Sequence, residues 1–271
     1  SPAFTQLQGT TRSGYDIRLQ VISKKIGSMP VAALPSGKVK LILVNWHESM
    51  SATPSAADLT MAVLSRLFSW ASKRGLIEAN PMRDGYERLS RGTRRDQIWS
   101  AQEIEILRTQ ARPDMRDAAL MALWTMQRQG DLLTMTPMAY SQSTGMLRIK
   151  QQKTGAFVMI KPAEEILPII TRAIGQQRVL TNSYGDNWTS SGFKSSWRKE
   201  MIRLGIKGRT FHDLRGTAIT WAYYNLPGSH DDKIQTIAAI SGHGIGDADA
   251  IIRKSYLASA EVNSAIGRGG R

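Results

Sequence analysis

Apolar residues recur at the spacing of an α-helix along most of the first part of the chain. The pattern predicts helices over 4–27, 38–48 and 54–74, with Gly27 as the C-cap of the first helix and Gly75 ending the third. On the third helix we expect one buried apolar stripe, formed by Leu59, Val63, Leu67, Trp70 and Ala71. This part of the chain is therefore predicted to be a helical domain.

A second helical region begins near residue 99. Ser100 and Glu103 have the spacing of a capping box, and Trp99 and Ile104 fit the hydrophobic staple around it. Further along the chain, helical periodicity predicts helices over 163–177, 190–204, 211–225 and 231–241.

One segment of this second region alternates between apolar and polar residues instead. Residues 146–152 and 156–161 are short alternating runs on either side of Lys153-Thr154-Gly155, which is typical of a β-hairpin. The predicted fold class is therefore α+β: mainly α, with a small antiparallel β-sheet or hairpin.

The charge balance adds a partner class to this picture. The 271 residues include 36 lysines and arginines against 22 aspartates and glutamates, a formal net charge of +14. Such an excess favours a polyanion, with nucleic acid ahead of an anionic membrane surface. Residues 90–98 are basic without an apolar period, and we interpret them as a linker between a domain over 1–89 and a domain over 99–271. Its Arg91, Arg94 and Arg95 are candidate contacts to DNA phosphates.

Composition excludes several classes of site. The chain has no cysteine, which excludes disulfide scaffolds, zinc–cysteine modules and thiol nucleophiles. Its four histidines show no metal-ligand spacing, so we expect neither a metal nor a cofactor. Apolar runs are shorter than the ~18 residues of a membrane span, and no signal-peptide pattern is present. We expect a cytoplasmic protein.

The segment most suggestive of chemistry lies near residue 212. Thr210 and Asp213 fit a capping box, which places a helix start at Thr210, with His212 in the first turn and Arg215 on the same face. Backbone N–H groups, the positive end of the helix dipole and a guanidinium together favour a bound phosphate. The spacing alone is weak evidence, because surface and capping residues often share it.

Four further motifs occur in order along the same domain. Arg128 and Asp131 lie in Arg-Gln-Gly-Asp-Leu-Leu, Lys153 lies on the predicted hairpin, His243 follows a glycine after a helix, and Tyr256 lies in Arg-Lys-Ser-Tyr-Leu. With the His212 segment, this set resembles the tyrosine recombinases, the phage-integrase family to which lambda integrase and Cre belong.

The resemblance covers about residues 4–258, because 71–81 is similar to the end of the family's helical, SAM-like core-binding domain. It implies a core-binding domain over 1–89 and a catalytic domain over 99–271. Two departures from the family pattern stand out. Residues 244–249 look like an inserted loop before Tyr256, and Gln129 and Asp131 replace commoner basic and glutamate residues.

Phosphodiester cleavage gives each cationic or imidazole group a candidate role. Arg128 and Arg215 would clamp the non-bridging oxygens, where negative charge grows in the transition state. His212 is the candidate general base, and His243 would donate a hydrogen bond to a non-bridging oxygen. Asp131 would support the site from behind these groups.

The nucleophile and the general acid complete the predicted set. Tyr256 is the candidate nucleophile, because it lies in a short polar segment, whereas Tyr223 and Tyr224 have an apolar, core-like context. Lys153 is the candidate acid for the leaving 5′ oxygen. The resemblance implies a 3′-phosphotyrosyl intermediate, which stores the bond energy so that rejoining needs neither ATP nor metal.

The expected function is site-specific DNA recombination that integrates or excises a mobile element. The resemblance implies duplex DNA as partner, a homotetramer on DNA, accessory DNA-bending or directionality factors, no membrane, and a bacterial or phage-encoded protein at the nucleoid. Three alternatives remain open: a DNA-relaxing enzyme similar to type IB topoisomerases, a non-catalytic DNA-binding regulator with an integrase fold, and a binder of anionic membranes. The last is disfavoured because the basic residues do not gather on one amphipathic helix.

Overall fold

The computed structural model describes residues 1–34, 37–90 and 97–255, with the side chains of the last range described as far as Arg253. The chain divides into two compact units, Ser1–Gly92 and Thr93–Arg271. Most of the predicted linker lies outside the described residues, and so do its candidate phosphate contacts Arg91, Arg94 and Arg95.

The first unit consists of helices joined by short turns. The elements are α1 Pro2–Thr5, α2 Gly9–Ile26, a 3-10 turn Val31–Ala33, α3 Gly37–Ser49 and α4 Pro54–Ser72. The prediction of one helix over 4–27 is wrong, because the backbone leaves the helical region at Gln8, where ψ is 144°. Gly27 does cap α2, and its N–H donates to the Ser23 carbonyl at 2.8 Å.

The buried face of α4 differs from the predicted stripe. Leu59 and Leu67 are 44% and 37% exposed, whereas the buried apolar residues are Ala57, Met61, Val63, Leu64 and Phe68. Apolar residues cover more than one face of this helix, so periodicity alone leaves its rotation open. Packing in the core of the first unit decides it, because Met61 and Leu64 lie in one buried cluster with Ile22 of α2 and Leu43 of α3.

A buried aspartate, Asp58, holds the end of the first unit. His47 Nε2 lies 2.8 Å from Asp58 Oδ1, and the Asp58 carboxylate also accepts from the backbone N–H groups of Leu89 and Ser90 at 3.0 and 3.1 Å. The Ser90 hydroxyl donates to it as well, and this bond is the largest cause of the lowered Asp58 pKa. His47 thus has a structural role in this unit.

The second unit contains most of the helices and the sheet. Its helices are α5 Ala101–Gln110, α6 Pro113–Thr125, α7 Gln129–Thr134, α8 Leu167–Thr171, α9 Ser190–Arg203, α10 Asp213–Asn225, α11 His230–Ser241 and α12 Ile245–Ser255. The predicted capping box on α5 is confirmed: Ser100 Oγ accepts from the Glu103 N–H at 3.2 Å, and Glu103 Oε2 accepts from the Ser100 N–H at 2.8 Å.

The sheet has three antiparallel strands in the order β1-β2-β3: β1 Tyr140–Ser141, β2 Met146–Lys150 and β3 Phe157–Ile160. Leu147 pairs with Ile160 and is buried, while the alternate side chains of β2 and β3 face solvent. The predicted hairpin and fold class are confirmed. Strand β1 escaped prediction because two residues carry no periodic signal.

Three local predictions in this unit are wrong. The helix expected over 163–177 is reduced to the five residues of α8, because the flanking residues form separate turns with i→i−3 bonds, such as Ala173 N–H to Ile170 O at 3.2 Å. Helix α10 begins at Asp213 rather than Thr210, because the preceding turn is also of the i→i−3 type. Residues 245–249 of the loop expected over 244–249 are instead the first part of α12.

Two buried clusters form the core of the second unit. The larger joins α5, α6, α9 and the inner face of the sheet, with Trp99 and Leu107 almost completely buried at 0% and 1% exposure. The smaller joins α10, α11 and α12 around Ile219 and Ile237. None of the helices in the described part of the chain combines the length and apolar character that a membrane span requires.

Candidate active site

A buried arginine on α10 lies at the centre of the site. Arg215 is 3% exposed, and its Nη1 donates to the carbonyl of Met126. Its Nη2 donates to the carbonyl of Ser241 at 2.8 Å and lies 3.0 Å from His243 Nε2. These contacts hold the end of α6 and the end of α11 together around one guanidinium.

The turn between α6 and α7 brings a second arginine to this point. Met126 has a φ of 55°, a left-handed conformation that costs an ordinary side chain roughly 1–2 kcal/mol. Its carbonyl accepts from Arg215, and the next side chain, Gln127, donates to the carbonyls of Thr125 and Ile240 at 2.8 Å each. The chain therefore reverses tightly, and Arg128 becomes the N-cap residue of α7.

Arg128 and Asp131 attach to the hairpin. Arg128 Nη1 donates to Gln151 Oε1 at 3.3 Å, and Asp131 Oδ1 accepts from the backbone N–H of Gln152 at 2.8 Å. Asp131 is 3% exposed, and its charge opposes the lowering of the Arg215 pKa. The predicted supporting position of Asp131 thus agrees with its contacts.

The acceptors around Arg215 are neutral. Two are carbonyls and the third is Nδ1 of the His243 imidazole, so none of its acceptors among the described residues neutralises the guanidinium. Burial, followed by the charge of Arg128, lowers the pKa of Arg215 to about 9, which still leaves it charged at pH 7. A buried cation held by neutral acceptors is stabilised when an anion binds beside it.

Both predicted histidines lie in this positive environment. Burial, followed by the charges of Arg215 and Arg128, lowers the pKa of His243 to about 3. The pKa of His212 is also lowered, first by partial burial of a ring that still contacts solvent and then by Arg215. Both imidazoles are therefore neutral at pH 7.

Hydrogen bonding favours one tautomer of His243. Ser241 Oγ lies 3.0 Å from Nδ1, and a hydroxyl can donate to that nitrogen. In that tautomer Nδ1 accepts from Ser241 Oγ and from Arg215 Nη2, which lies 3.2 Å from it, and Nε2 carries a proton that a bound oxygen can accept.

Lys153 is exposed at the tip of the hairpin between β2 and β3. The next residue, Thr154, donates to Gln151 Oε1, which also accepts from Arg128, so the turn lies beside this arginine. The charge of Lys153 contributes to the lowered pKa of both His212 and His243. The structure thus groups five predicted catalytic residues and the supporting carboxylate: Arg128, Lys153, His212, Arg215, His243 and Asp131.

Tyr256 lies outside the described residues, directly after the last residue of α12. Helix α12 is fastened to the rest of the unit by a polar chain on its surface. His230 Nδ1 shares a hydrogen bond with Tyr223 Oη at 2.7 Å, and His230 Nε2 lies 2.9 Å from Asp249 Oδ1. Arg253 Nε donates to the other oxygen of Asp249 at 2.7 Å. His230 thus has a structural role, with two partners that no spacing rule indicated.

Sequence reasoning missed the polar residues that connect the site. Gln127, Gln151 and Ser241 are at most 1% exposed, and they bond to one another or to Arg128 and Arg215. A buried glutamine has no periodic signature, and Ser241 takes part mainly through its backbone carbonyl. No signal in the sequence distinguishes these residues from surface ones.

Comparison by sequence identifies a curated relative. No family model matches the chain. A shufflon-specific DNA recombinase from Escherichia coli is 29% identical over 211 residues, which are 76% of this chain and 52% of that protein. The chain therefore spans about half the length of the curated relative it matches.

Comparison of folds finds DNA-bound integrases and recombinases. A Tn1549 transposon integrase in complex with transposon right end DNA has a TM-score of 0.73 at 15% identity and covers 96% of this chain and 95% of its own. A lambda integrase dimer bound to a COC′ core site has a TM-score of 0.69 at 18% identity, over 91% and 89% of the two chains. XerH site-specific recombinase bound to a palindromic difH substrate has a TM-score of 0.67 at 13% identity, over 96% and 80%. The predicted resemblance to tyrosine recombinases is confirmed, and at these identities the structural likeness is one of fold.

Proposed function

We propose that this chain is a tyrosine site-specific recombinase, which cuts and rejoins duplex DNA through a 3′-phosphotyrosyl intermediate. The observation that carries the proposal is the buried Arg215, whose hydrogen-bond acceptors are neutral, beside Arg128 and two neutral imidazoles. Two carboxylates, Asp131 and Asp213, offset only part of the positive charge here. A DNA phosphodiester supplies the missing negative charge.

In the cleavage step, Arg128 and Arg215 hold the two non-bridging oxygens of the scissile phosphate. As Tyr256 Oη attacks phosphorus, the bond to the tyrosine forms and the bond to the 5′ oxygen breaks, which gives a 3′-phosphotyrosine and a free 5′ hydroxyl. The guanidinium groups bind more strongly as charge grows on the non-bridging oxygens, so they accelerate the step. His243 Nε2–H donates to one of these oxygens.

Two proton transfers accompany this step. The tyrosine proton passes to His212, whose lowered pKa keeps the ring neutral at pH 7 and therefore able to accept it. The leaving 5′ oxygen takes its proton from Lys153 at the hairpin tip. Rejoining is the reverse, with a 5′ hydroxyl from the same or another DNA duplex as the nucleophile.

Duplex DNA is the proposed partner of both units, which carry a basic excess. Residues 1–89 act as the core-binding domain, 99–271 as the catalytic domain, and Arg91, Arg94 and Arg95 contact phosphates along the linker. The affinity therefore falls steeply with salt. We further propose a homotetramer on DNA and a role in integrating or excising a mobile element, with accessory DNA-bending or directionality factors as additional partners. The similar proteins are recombinases and integrases, which favours this function over a relaxing enzyme or a regulator.

The test uses a nicked suicide substrate, in which the cleaved fragment diffuses away and traps the covalent complex. Wild-type protein should become joined to the 3′ end, and Tyr256→Phe should bind the DNA without being joined. Tyr184→Phe, at a side chain that is 88% exposed, is the matched control and should react like wild type. Equal joining by Tyr256→Phe would exclude Tyr256 as nucleophile, and no joining by wild type at a verified binding site would favour the regulator alternative.

A plasmid with two recombination sites distinguishes the relaxing alternative. A recombinase inverts or excises the segment between the sites. A relaxing enzyme changes only the superhelicity of the plasmid.

A further inference from the structure

Gln151 is a fully buried side chain at the base of an exposed turn. It follows β2 directly and is 0% exposed, whereas Gln152, Lys153 and Thr154 after it face solvent. Its Nε2 donates to Gln127 Oε1 at 2.8 Å and to the Ser241 carbonyl at 2.7 Å. Its Oε1 accepts from Arg128 Nη1 at 3.3 Å and from Thr154 Oγ1 at 3.0 Å.

These four bonds use the full capacity of a primary amide, two donated and two accepted. They also reach three segments that carry catalytic groups: the turn of Lys153, the N-cap of α7 with Arg128, and the end of α11 before His243. The Ser241 carbonyl that accepts from Gln151 is the one that accepts from Arg215 at 2.8 Å. Gln151 therefore connects the hairpin to both arginines of the site.

The backbone adds a close approach between Gln151 and the α11 terminus. A Cβ atom built on Gly242 would overlap the side-chain amide of Gln151. Gly242, with a φ of 66°, ends α11 and precedes His243. The missing side chain thus leaves the space that the glutamine amide fills.

We propose that Gln151 is a positioning residue, which holds the Lys153 turn in register with Arg128 and His243 so that the lysine reaches the leaving oxygen. This inference rests on the proposed recombinase function. The turn closes on Gln151 itself, because the Gly155 N–H donates to its carbonyl and its own N–H donates to the Ala156 carbonyl, both at 2.8 Å. Fixing the Gln151 side chain therefore fixes the start and the end of the turn that carries Lys153.

The alternation along the strand supplies a matched control. Gln152 is the same residue type one position later, but its side chain is exposed and donates to Thr134 Oγ1 at 2.6 Å, away from the arginines. Its backbone bond to Asp131 persists in any variant except proline. Replacing the two glutamines in turn by methionine, which has a similar length and no amide, separates a role in the site from a role in the strand.

The decisive experiment compares two suicide substrates. One has the natural 5′ oxygen at the scissile phosphate, and the other has sulfur in that position. A thiol has a pKa near ~8.5, so sulfur leaves as the anion and needs no general acid. Single-turnover cleavage rates are measured for wild type, Lys153→Ala, Gln151→Met and Gln152→Met.

On the oxygen substrate, Gln151→Met should be slower than wild type by on the order of 10–100-fold, since a displacement of ~1 Å costs a comparable factor. Lys153→Ala should be slower still, and Gln152→Met should match wild type. On the sulfur substrate, Gln151→Met should recover to within about threefold of wild type, as should Lys153→Ala, because no proton is transferred.

Thr154→Val extends the test to a variant whose fold is not at risk, because this exposed hydroxyl only donates to Gln151 Oε1 and accepts from the Ala156 N–H. It should show a smaller loss with the same recovery on sulfur, and Thr154→Ser should behave like wild type. If Gln151→Met has a lower Tm than wild type or loses DNA binding, Thr154→Val decides whether the Gln151 contact positions Lys153.

Three results would overturn the inference while wild type reacts: full activity of Gln151→Met on oxygen, a loss in Gln151→Met that sulfur does not recover, or an equal loss in Gln152→Met. A wild-type protein that reacts with neither substrate would refute the recombinase function itself. The two failures are therefore distinguishable.

Discussion

Replacing Gly242 by alanine tests the close packing at the centre of the site. Gly242 has a φ of 66° at the end of α11, and a Cβ atom there would overlap the Gln151 amide. Gly205 is a matched control at the end of α9, because its φ is 71° and no atom lies within 4 Å of the corresponding Cβ position. The two substitutions thus share the backbone strain and differ in the overlap.

The difference in stability follows from these two geometries. The left-handed conformation costs alanine roughly 1–2 kcal/mol at either position. At Gly242 the Gln151 amide must also move, and each buried polar group left without a partner costs about 1–3 kcal/mol. The Ser241 carbonyl still accepts from Arg215, so the groups left unpaired are the Gln151 amide and Gln127 Oε1. Gly242→Ala should therefore lose on the order of 2–4 kcal/mol more than Gly205→Ala.

Calorimetry of the full chain measures this difference as a shift in the Tm of the second unit. For a domain of this size 1 kcal/mol shifts Tm by ~2–4 °C, so Gly242→Ala should melt at least ~5 °C below Gly205→Ala. It should also cleave the suicide substrate more slowly, whereas Gly205→Ala should cleave at the wild-type rate. Equal Tm values for the two variants would refute the packing argument.

Two further predictions concern titrating groups. Hydrogen bonds to Ser90, Leu89 and His47 lower the pKa of Asp58 in the folded state. The contribution of Asp58 to stability is therefore present above the ordinary aspartate pKa of ~3.9 and is lost as the pH falls below it, which Tm measured against pH should show for wild type. Asp58→Asn should be less stable at pH 7, and its Tm should fall less steeply at acid pH. The His212 imidazole, one of four in the chain, should titrate by NMR with a pKa below the usual 6.5. Lys153→Met should raise this pKa, because it removes a nearby positive charge, whereas Lys161→Met, at the end of β3, should leave it unchanged. An unaltered His212 pKa in Lys153→Met would contradict the proximity of Lys153.

Local signals in the sequence were reliable where neighbouring residues alone decide the structure. The Ser100–Glu103 capping box and the hairpin around Lys153 depend on contacts within a few residues, and both form as predicted. The rotation of α4 depends on a partner helix, so the predicted stripe through Leu59 and Leu67 is wrong. The segment 244–249 becomes helical because Ala248 is buried against the smaller core, which its polar composition conceals.

The sequence by itself determined which chemical groups are available and their order along the chain. Arginine, lysine and histidine carry their chemistry as residue types, so the order Arg128, Lys153, His212–Arg215 and His243 indicates phosphate chemistry without coordinates. Only the tertiary structure decided how they are held, because the supporting contacts join residues far apart in sequence. Gln151 bonds to Ser241, 90 positions away in the sequence, and Arg215 bonds to Met126, 89 positions away. Most of the bonded atoms belong to amide and carbonyl groups, which are common along the whole chain. Such groups gain significance only when burial removes water as the competing partner.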